Sequence, residues 1–81
     1  MRIDKYLKVS RLIKRRTAAA EACDGGRVSV NGKVVKPAYD VKVGDVITIA
    51  FGDKAISVRV LKLVESTKKE DAETMYEAVT E

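Results

Sequence analysis

Residues 2–16 read Arg2-Ile3-Asp4-Lys5-Tyr6-Leu7-Lys8-Val9-Ser10-Arg11-Leu12-Ile13-Lys14-Arg15-Arg16, and the fold turns on how this stretch is read. Seven of its residues are cationic (Arg2, Lys5, Lys8, Arg11, Lys14, Arg15, Arg16) and only Asp4 opposes them, a local charge of +6 in a chain whose total is +4. Everything outside the stretch therefore sums to −2. Between the charges, Ile3, Tyr6 and Leu7 hold the i, i+3, i+4 spacing of one helix face. A solvated basic tail lacks such an apolar set. The pattern predicts a folded surface that buries one side and presents cations on the other, which suits a polyphosphate partner.

Working outward, one continuous helix scatters Ile3, Leu7, Leu12 and Ile13 less neatly than two short ones, so a turn is expected near Ser10 to Lys14. Thr17 is the expected cap of the second helix, and Ala18, Ala19, Ala20, Glu21 and Ala22 are strong helix formers that carry it to Cys23 and Asp24. Gly25 and Gly26 stop it. Ala19, Ala22 and Cys23 are expected in the core, where small side chains let elements approach closely.

From Arg27 the apolar period changes to two. Val28 and Val30 alternate with Arg27 and Ser29, Asn31-Gly32 is the pair that best fits a type I′ turn, and Val34 with Val35 continues as far as Pro37. Val41 to Asp45 reads as an extended segment closed by a turn. Val46 to Phe51 is the strongest strand by β-branched content, Gly52-Asp53-Lys54 turns the chain, and Ile56, Val58 and Val60 make the antiparallel partner. The tail opens on a capping box, Thr67-Lys68-Lys69-Glu70, and Ala72, Met75, Tyr76 and Val79 have the spacing of a short third helix. From Glu65 to Glu81 six acids face two lysines, a net of −4 read as a solvated face. The boundaries are residues 1–64 for a basic α+β domain and 65–81 for an acidic C-terminal helix or tail.

An 81-residue chain with 46% apolar residues folds as one modest core. It contains no histidine and one cysteine, Cys23, which removes an internal disulfide, a multi-cysteine zinc site and histidine-dependent catalysis. Half of the twelve acids lie on the tail, so neither enzyme activity, a metal nor a cofactor is expected. Gly25-Gly26 and Gly44-Asp45 lack the spacing and the following Lys-Ser/Thr of a phosphate loop. Apolar runs are only a few residues long, so neither a membrane span nor a signal peptide is expected and a cytoplasmic location is the default.

Recognition by charge remains. Arg2, Lys5 and Lys8 recur every three residues and span about 9 Å at about 1.5 Å rise per residue, which lines cations up for successive phosphates. Arg11, Lys14, Arg15 and Arg16 continue the patch to the start of the second helix, where free amides add anion affinity. Taken singly, Lys8 and Lys14 are nearly as well explained by solubility. Arg27, Lys33 and Lys36 extend the surface or are plain strand charge. Tyr39 and Tyr6 offer stacking, although Tyr6 shares the apolar face and reads as core.

The pattern Arg2-Ile3-Asp4-x-x-Leu7, Arg16-Thr17-x-Ala19, Gly26-Arg27-Val28-Ser29-Val30-Asn31-Gly32, Pro37 and Val41-x-x-Gly44-Asp45-x-Ile47 resembles the S4-type RNA-binding domain family over roughly residues 1–50. The resemblance implies an α+β fold carrying the αL motif: two N-terminal helices packed on a small, mostly antiparallel sheet, here with a short C-terminal helix. It also implies structured RNA on the helical face, with Arg2, Lys5, Arg15 and Arg16 as principal contacts and Arg27 and Asn31 near the RNA. Residues Lys8 to Thr17 and the tail Thr67-Lys68-Lys69-Glu70-x-Ala72-x-x-Met75-Tyr76 are similar to the stand-alone S4-domain factors of bacterial ribosome-associated quality control. That similarity implies a cytoplasmic, ribosome-associated, non-enzymatic monomer on an obstructed large subunit. Its implied partners are 23S-type rRNA, peptidyl-tRNA and a tailing-factor protein that adds C-terminal alanine to the stalled chain. The heat-shock S4-domain proteins, which recycle free large subunits, carry a longer basic extension where this chain ends in acid. A protein-interaction adaptor working through the acidic tail is the alternative of a different class.

Overall fold

The structure is a computed structural model and describes residues 1–64 and 69–79. Helix α1 (Ile3–Val9) and helix α2 (Arg16–Asp24) precede a sheet of β1 (Val28–Val30), β2 (Lys33–Val34), β3 (Val46–Phe51), β4 (Lys54–Val60) and β5 (Tyr76–Ala78). The five strands run in the order β2-β1-β3-β4-β5, and every pair is antiparallel. The α+β architecture is the one read from the sequence.

The helices cover one face of the sheet. Period-two alternation sends Val28 and Val30, Ile47 and Ile49, and Val58 and Val60 to that face, where Ile3, Tyr6 and Leu7 of α1 and Ala19, Ala22 and Cys23 of α2 meet them. Each large apolar side chain fully buried here stabilises the fold by about 1.5–3 kcal/mol. Removing the two alanines' small profile from α2 would push the helix off the sheet, which is why a helix so poor in large apolar residues still packs.

The break between the helices falls where expected. Ser10 caps α1 and Arg11 adopts φ 63°, the left-handed position usually given to glycine. Arg11 N donates to Lys8 O at 3.0 Å and Ile13 N to Leu7 O at 3.1 Å, so the last carbonyls of α1 are satisfied by the turn itself. Asn31 (φ 52°) and Gly32 (φ 86°) form the two-residue hairpin turn, with Val30 opposite Lys33.

Two local expectations fail. Arg15, not Thr17, occupies the cap position of α2, without a side-chain cap bond, because the extended backbone of the turn runs to Arg15 and places Thr17 inside the helix. The C-terminal helix is also shorter than its apolar spacing suggested. One turn at α3 (Lys69–Ala72) tightens to a 3-10 turn at Glu73–Met75, and Tyr76, expected on the helix face, instead begins β5. Without β5, β4 would be an edge strand with unpaired backbone groups, and Tyr76–Ala78 satisfies them by pairing Val58 with Ala78 and Val60 with Tyr76. Val79 N donating to Ser57 O at 2.9 Å continues the same edge. The capping box at Thr67 and Lys68 lies outside the described residues.

Candidate nucleic-acid interface

The apolar face of α1 is turned into the core, so its other side must carry the cations. Arg2, at the cap of α1, and Lys8 are exposed and Lys5 is half-buried along the helix, and Arg11 is exposed in the turn beyond it. Lys14, Arg15 and Arg16 are exposed in the turn and the first residue of α2. The two helices pack against one another, and their starts, with Arg2 and Arg16, come together at one end of the molecule.

Asp4 organises that end. Its side chain is 5% exposed although it sits in the most cationic part of the chain. Lys5 N donates to Oδ1 at 2.7 Å, Arg2 Nε and Nη2 reach Oδ1 and Oδ2 at 3.3 and 3.2 Å, and Arg16 Nη2 reaches Oδ1 at 3.5 Å. One carboxylate thus holds guanidinium groups from both helices. Two arginines on one acid leave a net positive charge, and Arg2 and Arg16 stay 54% and 48% exposed, open to a further anion. Among the described residues, Lys8, Arg11, Lys14 and Arg15 form no ion pair with the protein's own acids.

The remaining backbone bonds of the site keep it rigid. Ile3 N donates to Tyr39 O at 2.8 Å and Asp4 N to Pro37 O at 3.3 Å, so the segment before β3 satisfies the opening amides of α1. No anion position remains there. Helix α2 opens without a side-chain cap, and its first-turn amides lie beside Arg15 and Arg16.

Other candidates are placed differently. Arg27 stands at the far end of α2, where its Nε would lie 3.7 Å from a Cβ on Gly25. Lys33 is exposed on edge strand β2, and Lys36 is exposed beyond it. Asn31 faces the protein: its Nδ2 donates to Asp45 Oδ1 at 3.2 Å, and its Oδ1 accepts from Val46 N at 3.0 Å. Tyr6 is wholly buried, and its hydroxyl donates to Met75 O at 2.8 Å. Burial, followed by the neighbouring Tyr76, raises the Tyr6 phenol well above its ordinary range, so it remains a donor. Tyr39 is partly exposed. Sequence reasoning missed Asp4 as an organiser and counted it only as the opposing charge. Its place beside Ile3 and Leu7 on the apolar face was the available signal.

Among the described residues no cluster of His, Cys, Asp and Glu could hold a metal ion, and no helix is long and apolar enough to cross a membrane.

A family model described as the S4 domain matches residues 1–47. The RQC P-site tRNA stabilizing factor of Streptococcus pneumoniae is 57% identical over 81 residues, which is 100% of this chain and 92% of that protein. The protein of the same name from Bacillus subtilis is 54% identical over 100% of this chain and 94% of its own length. Among solved structures, the trimeric structure of Vibrio cholerae Heat Shock Protein 15 superposes with a TM-score of 0.90 at 29% identity, covering 98% of this chain and 81% of that one.

Proposed function

The chain belongs to the S4 domain family, and from that premise we propose that it is a non-enzymatic RNA-binding factor that stabilises P-site tRNA during ribosome-associated quality control. On the obstructed large subunit its basic end contacts 23S-type rRNA and peptidyl-tRNA together, as a single copy in the cytoplasm, and supports the protein partner that adds alanine to the stalled chain. Arg2, Lys5, Lys8, Arg11, Lys14, Arg15 and Arg16 are the contacts, with Arg27 and Lys33 at the margins and Asn31 shaping the hairpin beside them.

The observation that carries this reading is the shared grip of Asp4 on Arg2 and Arg16. Holding two RNAs in one geometry requires cations that face more than one way yet do not move relative to each other. A pair of helices clamped through one buried carboxylate supplies that, whereas free lysines would follow whichever phosphate came first.

Titrating purified large subunits carrying P-site tRNA at several salt concentrations tests it. Neutralising about five phosphates gives a slope of log affinity on log salt of roughly −3.5 to −4.5. Arg2→Ala with Arg16→Ala is expected to lower affinity by tenfold or more, on the order of two charge-assisted contacts, and to lower thermal stability modestly because the buried Asp4 carboxylate loses both guanidinium partners. A flat salt response would reject the reading.

A further inference from the structure

A cleft lies on the sheet side of α2 and takes no part in the basic end described above. It holds about 350 Å³, within the roughly 300–1,000 Å³ of small-molecule pockets. Ile13, Ala18, Ala22, Ile49 and Phe51 wall it, Arg27 is its charged group, and no carboxylate among the described residues lines it.

The cleft follows from two mismatched lengths. Strand β3 carries Phe51 to the same face as Ile49 but about 7 Å further on at roughly 3.3 Å per residue. The helix layer stops short of it and offers only the small side chains of Ala18 and Ala22 there. Phe51 is therefore 49% exposed, and Ile56, paired with Ile49 on that face, is 42% exposed. Arg27 is fixed between the two walls by its backbone: its N donates to Ala22 O and its O accepts from Ala50 N, both at 2.9 Å.

We propose that this cleft receives one unstacked nucleotide of the bound RNA, its base against the ring of Phe51 and Arg27 on its phosphate or base edge. An aromatic ring beside a guanidinium, with no acid in the lining, is complementary to a flat ring carrying negative charge. Its wall also adjoins the basic residues along the chain. Ile13 directly precedes Lys14-Arg15-Arg16, and Ala18 lies two residues after Arg16, so RNA held by those cations passes the cleft mouth. Extrahelical bases are what a protein can read in structured RNA, because the deep groove of the duplex admits no side chains. This inference rests on the RNA-binding reading and adds the subsite that would tell one RNA from another.

The test compares a short RNA duplex containing one unpaired adenosine with the same duplex lacking it, both titrated into the full chain. The wild type is expected to bind the bulged duplex about fivefold or more tightly, the low end for a base stacked on an aromatic ring. Phe51→Ala is expected to bring that ratio to one, and Phe51→Tyr to preserve it. Ala18→Leu fills the cleft from the helix and is expected to abolish the preference too, so the test does not depend on one variant folding. Equal binding of both duplexes by the wild type, or an undiminished preference in Phe51→Ala and Ala18→Leu, overturns the subsite alone and favours an apolar protein side chain as occupant. Binding of neither duplex overturns the RNA-binding reading with it.

Discussion

Arg16 reaches 3.5 Å across the turn between the helices to the buried carboxylate of Asp4. The bond is long and Arg16 is half exposed, so its charge contributes little to stability by itself. Its effect is positional. Asp4→Asn keeps an acceptor for Lys5 N, removes a negative charge from the chain and releases both arginines. The expected result is a loss of about 1–2 kcal/mol in denaturant unfolding and weaker RNA binding despite the more favourable charge. Tighter RNA binding by the variant would show that Asp4 only diminishes the field.

Arg11 occupies a left-handed position at the end of α1 that costs a non-glycine residue about 1 kcal/mol. Arg11→Gly is expected to raise the unfolding free energy by roughly 0.5–1 kcal/mol and to weaken RNA binding. A variant that is more stable and binds equally well would place Arg11 outside the interface.

Asn31 combines a positive φ with two side-chain bonds, to Asp45 just before β3 and to Val46 at its start. Asn31→Gly keeps the backbone freedom and loses the bonds, at a cost of about 1 kcal/mol, and Asn31→Ala loses both, at about 2 kcal/mol. RNA affinity should decline in the same order and modestly. A large loss of affinity in a stably folded Asn31→Gly would instead identify a direct contact.

Tyr6 ties the tail to the core through its hydroxyl and Met75 O. That carbonyl also accepts from Leu61 N at 2.8 Å, so Tyr6→Phe does not leave it unsatisfied. The expected cost is near 1 kcal/mol, with faster amide exchange in β5 and cleavage of the tail by a dilute protease. Uniform loss of protection across the whole sheet would show that β5 does not open separately.

Burial, then the charges of Asp4 and Asp24, pushes the Cys23 thiol from its ordinary 9.0 up to about 11. The folded state therefore holds this proton more tightly than the unfolded chain. Its contribution is complete below pH 9 and is lost as the pH rises from about 9 to about 11, with Tyr6 adding to the decline further up. The unfolding free energy should be flat from pH 7 to 8.5 and fall above pH 9 by roughly 1–3 kcal/mol, less in Cys23→Ala. An identical alkaline decline in that variant would assign the whole effect to other groups.

Much of the fold was legible because its signals are local. The helix break at Ser10 and Arg11, the Asn31-Gly32 turn and the alternation from Val46 to Val60 depend on neighbours in the chain. The tail was read less well. Met75 and Tyr76 have helical spacing, but the open edge of β4 competed for Tyr76–Ala78 and won, and nothing within the tail announces that edge. The candidate interface residues were legible as types, whereas the bonds of Asn31 to Asp45 and Val46 were not.

By itself the order of residues determined that a cationic, amphipathic opening stretch would fold on a small sheet, since periodicity and charge are properties of adjacent positions. Only the tertiary structure decided that Asp4 would join Arg2 to Arg16 and that Phe51 would overhang the short α2. Both depend on distances between segments far apart in the chain, which are set when the helices settle on the sheet and not before.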